Sequence, residues 1–149
     1  MPVRSRSLHA GARSCQRMQG VTLLELMVVV TIIGIIVAIA YPSYERQIQQ
    51  TRRSDGKVAL LETVQRLERC YTRFNSYTNG GCTIVPNLTG GGFDSAEGWY
   101  HVTGALTQTT FAITATPQRA QNADTRCGNL TIGNTGARTA SGTQPDSCW

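Results

Sequence analysis

At 149 residues the chain has room for one modest domain and an anchor. Its formal charge of +5 arises mostly in residues 1–20, where Arg4, Arg6, Arg13 and Arg17 stand without an acid; the remainder sets ten of the fourteen basic residues against nine acids. A whole-chain basicity of that origin is no argument for nucleic-acid binding. The absence of CxxC spacing, with His9 and His101 the only histidines, argues against a zinc site.

Residues 1–20 read as a processing leader. A secretory signal would place its cleavage site after the apolar run. Here the basic region abuts that run directly, with Gly20 at the junction. Cys15 is a poor lipidation candidate, since Ala12-Arg13-Ser14 is too charged for a lipobox.

Val21 to Ala40 is then long and apolar enough to cross a hydrocarbon core of roughly 30 Å. Thr22, Glu25 and Thr31 are its only polar side chains. Gly34 weakens the helix locally, and Pro42 removes an N–H and crowds the carbonyl of Ala38, so a kink or melting is expected between them. From Ser43 to about Asn75 the pattern is that of an amphipathic helix. Ile48, Leu60, Leu61, Val64, Leu67, Tyr71 and Phe74 recur mostly at three- and four-residue spacing. The intervening charges, among them Arg53, Lys57, Arg66 and Arg69, read as a solvated face, and Gly56 as a second soft point. A continuous helix over 21–75 would be about 80 Å long.

Asn79-Gly80-Gly81 ends the helical region, and residues 79–97 read as a glycine-rich loop. Gly90-Gly91-Gly92 is a flexible turn there, since no Lys-Ser/Thr and no helix start follows, as a phosphate loop would need. Strand candidates follow at Trp99–Leu106, at Thr109–Thr116 (Phe111, Ile113 and Ala115 on one face, Pro117 as the stop) and at Asn129–Ile132. The last of these passes through Gly133-Asn134-Thr135-Gly136 into Ala137-Arg138-Thr139 as a hairpin. Three or four antiparallel strands with one apolar face need a cover, and the amphipathic helix supplies it. The expected fold is α+β: a long N-terminal helix, half membrane-embedded and half amphipathic, packed on a small antiparallel sheet of 3–4 strands. The expected divisions are a leader 1–20, a transmembrane helix 21–42, an amphipathic helix 43–78 and a β domain 79–149.

Beyond the leader stand Cys70, Cys82, Cys127 and Cys148. An even count in a small exported domain points to two disulfides in an oxidising compartment. Three pairings are open; Cys70–Cys82 with Cys127–Cys148 is the one without nesting or crossing. No catalytic constellation emerges, so the chain reads as a non-enzyme without cofactor or metal: the sequence offers His101 no obvious acid or nucleophile partner, and the serines lack a GxSxG context.

Glu25 is the exception. A carboxylate in an apolar span costs about 2.5–3.5 kcal/mol on insertion scales and calls for a partner. Cleavage after Gly20 would create an α-amino group at Val21, one helical turn away, on the same or a neighbouring chain. The alternative is an interfacial acid reaching to lipid headgroups.

Gly20-Val21-Thr22-Leu23-Leu24-Glu25-Leu26 and the apolar run resemble the N-terminal signature of type IV pilins. The resemblance implies a fold and a life cycle. A prepilin peptidase would cut after Gly20 and methylate Val21, and Glu25 would pair with a neighbour's N-terminal amine during filament assembly. Gly34 and Pro42 would bracket a segment that melts in the pilus. Val21 departs from the usual phenylalanine. Gln65-Arg66-Leu67-Glu68-Arg69 with Tyr71 and Tyr77-Thr78 resembles minor pilins of the PilE and ComP kind. So do Cys127-Gly128-Asn129-Leu130-Thr131-Ile132, Gly133-Asn134-Thr135-Gly136 and the closing Cys148-Trp149. The implied role is a minor pilus subunit for motility, adhesion or DNA uptake. It would be an inner-membrane precursor with a cytoplasmic N-terminus and periplasmic domain, then part of the extracellular filament. Its expected partners are other pilins, the prepilin peptidase, the inner membrane and, in a ComP-like receptor, DNA. For that receptor the residues at hand are Arg119, Arg126 and Arg138 with Trp99, Tyr100 and Trp149, opposed by Asp124 and Asp146. A type II secretion pseudopilin is a further alternative, one that usually carries a calcium site, for which no dense acid cluster exists.

Overall fold

The computed structural model describes residues 20–149; leader residues 1–19, including the four arginines and Cys15, lie outside them. Helix α1 covers Leu23–Phe74. One compact unit runs to Ala40, and a second extends from Tyr41 to Trp149. In the first, the apolar part of α1 is fully exposed, with Leu23, Ile32, Ile36 and Ile39 each more than half accessible. Between Gly34 and Pro42 the chain stays helical and is not melted here.

In the second unit α1 covers a five-stranded antiparallel sheet of order β1-β2-β3-β4-β5. Its strands are β1 (Phe93–Asp94), β2 (Tyr100–Leu106), β3 (Phe111–Pro117), β4 (Leu130–Gly133) and β5 (Arg138–Ala140). The architecture is thus α+β as expected, with one strand more. β1 is only two residues, pairing Phe93 with Val102, too short to show a period in sequence. Pro117 ends β3 from inside, paired with Tyr100. The β4–β5 hairpin pairs Leu130 with Ala140 and Ile132 with Arg138, closed by a Gly133 N–H to Ala137 carbonyl bond.

Alternation carries the core. Phe111, Ile113 and Ala115 of β3, Tyr100 and Val102 of β2 and Leu130 and Ile132 of β4 are buried on one face. The facing seam of α1 is Arg53, Gly56, Ala59, Leu60, Thr63, Leu67 and Cys70. It differs from the stripe drawn by hydrophobicity alone: Leu61 is exposed, while Gly56 and Thr63 are inside. Gly56 is not a soft point. A Cβ there would stand 2.8 Å from the Tyr100 ring, so the missing side chain lets β2 approach the helix.

At Asn75 the chain turns left-handed (φ 54°), a conformation asparagine tolerates, and its N–H donates to the Tyr71 carbonyl at 2.7 Å. Tyr77 then folds back into the core. It stacks on Tyr71 with centroids 4.5 Å apart, meets Phe111 edge-on at 5.0 Å, and donates its hydroxyl to Glu68. Burial, then the Glu68 carboxylate, push its phenol up to about 12. The glycine-rich stretch holds a short helix where none was expected: α2 (Val85–Thr89), with Pro86 in its first turn and Leu88 buried. The disulfides are Cys70–Cys82 and Cys127–Cys148, twelve and twenty-one residues apart, each clipping a local loop.

Candidate assembly end and nucleic-acid interface

At its N-terminal end α1 begins with a cap that hydrophobicity does not reveal. Thr22 Oγ1 accepts the Glu25 N–H at 3.2 Å, and the Thr22 carbonyl accepts the Leu26 N–H at the same distance. Thr22-Leu23-Leu24-Glu25 has the spacing of a capping box, and a carboxylate in a first turn suits the positive end of the helix dipole. Val21 is 71% exposed, and nothing lies within 4 Å of a Cβ placed on Gly20 or Gly34.

The charged residues of the second unit divide into committed and free. Arg53 is committed. Its Nε and Nη2 donate to the two Asp124 oxygens at 2.5 and 2.7 Å, and that pairing raises its pKa. Gln121 Nε2 donates to Asp124 at 3.0 Å and to the Tyr100 hydroxyl at 3.2 Å, which completes a buried network between α1, β2 and the 3₁₀ turn Arg119–Ala123. Arg53 therefore belongs to the interior, not to a solvated face. Asp124 is neutralised there and does not oppose a surface cation. Tyr100, fully buried, cannot serve as a surface aromatic.

Of the three arginines weighed as DNA contacts, Arg119 sits at φ 53° with its guanidinium against Gly98. Next to Gly98, Trp99 carries Arg52 on its ring face at 3.9 Å. Asp55 fixes this loop by accepting from Ser95 Oγ at 2.5 Å and from the N–H groups of Glu97 and Trp99. Arg138 lies 5.5 Å over Trp149, whose indole N–H donates to the Thr139 carbonyl. Burial, then the charges of Arg53 and Arg138, lower the pKa of Lys57. Arg126 donates twice to Gln144 Oε1, at 2.9 and 2.6 Å. The three arginines thus stand in three separate settings.

Sequence reasoning missed a fourth setting. Arg66, Arg69 and Arg73, all exposed, line a groove of about 230 Å³ between the end of α1 and the Gly81–Ile84 segment, floored by the Cys70–Cys82 disulfide. No carboxylate lines it. Spacing of three and four residues was the available signal, obscured because Glu62 and Glu68 made the helix look evenly mixed.

A family model described as type IV minor pilin ComP, DNA uptake sequence receptor, matches residues 42–131. The chain belongs to this family of type IV minor pilins. A second model, the prokaryotic N-terminal methylation motif, matches residues 15–41 of the minor pilin. Among solved structures it is similar to a type IV pilin from Shewanella oneidensis, at 24% identity and a TM-score of 0.50, over 68% of this chain and 97% of that one. It is also similar to the non-core minor pilin PilV of Neisseria meningitidis, at 21% identity and a TM-score of 0.49, over 65% and 90% of the two chains. The Shewanella likeness shows the shared fold. No curated protein matches. As a pilin it is a structural subunit, made as an inner-membrane precursor and then part of the pilus filament, assembling with other pilins after prepilin peptidase processing.

Proposed function

We propose that this minor pilin is the DNA-receiving subunit of its pilus, acting by assembly and binding and not by catalysis. Cleavage falls between Gly20 and Val21, methylation on the Val21 amine, and Glu25 meets that amine, on its own or a neighbouring chain, during assembly. The observation that carries the reading is the family match over residues 42–131. It lies outside the N-terminal motif that all pilins share, so it bears on role as well as class. The guanidinium–indole pairs Arg52–Trp99 and Arg138–Trp149 support it, since cations interleaved with aromatics suit phosphate and base contact.

The detergent-solubilised, processed chain is titrated with duplex DNA in a gel-shift series across salt. Micromolar or tighter binding that weakens steeply with salt is expected. Absence of any shift at low salt refutes the receptor reading and leaves a subunit whose work is assembly alone.

A further inference from the structure

We infer that the groove of Arg66, Arg69 and Arg73 is the phosphate clamp of this subunit, holding the backbone of duplex nucleic acid irrespective of sequence. The inference rests on the DNA-receiving role proposed above and assigns part of that contact to residues outside those read from the sequence.

Three observations converge. The arginines repeat at three and four residues along the last turns of α1, so their guanidinium groups share one side over a rise of about 10 Å. Among the described residues none of the three makes an ion pair, whereas Arg53 does. They face a formed concavity whose other wall, Gly81 to Ile84, is tied to the helix by the Cys70–Cys82 disulfide. Arg73 also lies 5.1 Å over the Phe74 ring, which places the charge while leaving its donors free.

Helix-end electrostatics explain only part of this. A cation in the last turn complements the negative end of the dipole, and Arg73 is placed for that. The effect falls off within one turn, so it does not account for Arg66 or Arg69. Guanidinium groups around a groove with no carboxylate in its lining repel one another until an anion enters, Arg66 alone also bordering acids, Glu62 among them, on its other side. A chain of phosphates satisfies three of them at once, and guanidinium forks match phosphate oxygens. Contacts of this kind to phosphate oxygens position the duplex and carry no sequence information.

The test compares the full-length processed chain with two triple variants, R66A/R69A/R73A and R66K/R69K/R73K, on two duplexes of unrelated sequence. Each phosphate contact removed lowers the slope of log K against log salt by about 0.9, so the alanine variant is expected to lose about 2.7 in slope, equally on both duplexes. The lysine variant keeps the slope, because charge and not the fork sets counterion release. Circular dichroism and intact disulfides establish that both variants are folded. An unchanged slope in the alanine variant, with wild-type binding intact, overturns the groove alone. A wild-type chain that binds neither duplex at low salt overturns the receptor role and this assignment with it.

Discussion

Two residues show how charge acts in opposite ways here. Arg53 and Asp124 are buried, and each leaves the other uncompensated if removed. Asp124→Ala should therefore destabilise the domain by about 3–5 kcal/mol in urea unfolding, well beyond the worth of an exposed pair. Replacing both by apolar residues of similar volume should recover most of that loss, because the desolvation penalty vanishes with the charges. His101 is exposed by comparison. Its Nδ1 faces Asp94 Oδ1 and its Nε2 faces the Gly91 carbonyl, both at 2.7 Å, so both ring nitrogens meet acceptors and the imidazolium satisfies both. The Asp94 carboxylate and then the Gly91 carbonyl raise its pKa above the ordinary value of about 6.5. A folded pKa above the unfolded one contributes stability that is fully present below the unfolded value and is lost as pH rises through the folded one. Hydrogen exchange at Phe93, in the strand that His101 pins, should quicken over that window. His101→Gln should flatten the dependence; an identical pH profile in that variant would count against the assignment.

Among the elements, α1 shows best what a sequence can and cannot tell. Its length, its apolar half and its end near Asn75 follow from composition and period, and its unbroken helicity through Pro42 does not. The buried seam was legible at Leu60 and Leu67, whose size advertises burial. Gly56 and Thr63 stayed hidden because their value lies in what they leave room for. Gly56→Ala tests that reading. Alanine gains about 1 kcal/mol of helix propensity. A Cβ 2.8 Å from the Tyr100 ring costs about 1–3 kcal/mol in overpacking. The expected net result is a loss of about 1 kcal/mol by chemical denaturation, and a gain would show that the ring moves freely. The strands β2 to β5 were visible by alternation and turn residues, while β1 and α2 were too short to carry a period. The basic groove was legible only once the 79–84 segment was known to fold against α1, a tertiary fact that spacing along one helix cannot supply.

In the whole molecule, one helix serves two solvents, and Glu25 is where assembly and local structure compete to explain the same carboxylate. The cap bond itself is made by the Glu25 backbone N–H to Thr22 Oγ1 and survives any side chain at 25; the side chain's local part is the reciprocal bond to the Thr22 N–H that capping-box spacing allows, a task glutamine performs as well. As the counter-charge to a processed N-terminal amine it acts through its negative charge, which glutamine lacks. Glu25→Gln therefore separates the two roles where Glu25→Ala would not. Membrane insertion should survive in both variants, since removing a charge from an apolar span makes insertion more favourable. If the charge matters, both variants should be processed normally yet be depleted from sheared pili, read by immunoblot against the retained membrane pool. If the cap matters, glutamine should support incorporation and alanine should not. Thr22→Ala provides the complementary control: it removes the cap acceptor, at a typical cost of about 1 kcal/mol of helix stability, and leaves the charge in place. Normal incorporation of Thr22→Ala beside failure of Glu25→Gln would assign the carboxylate to subunit docking.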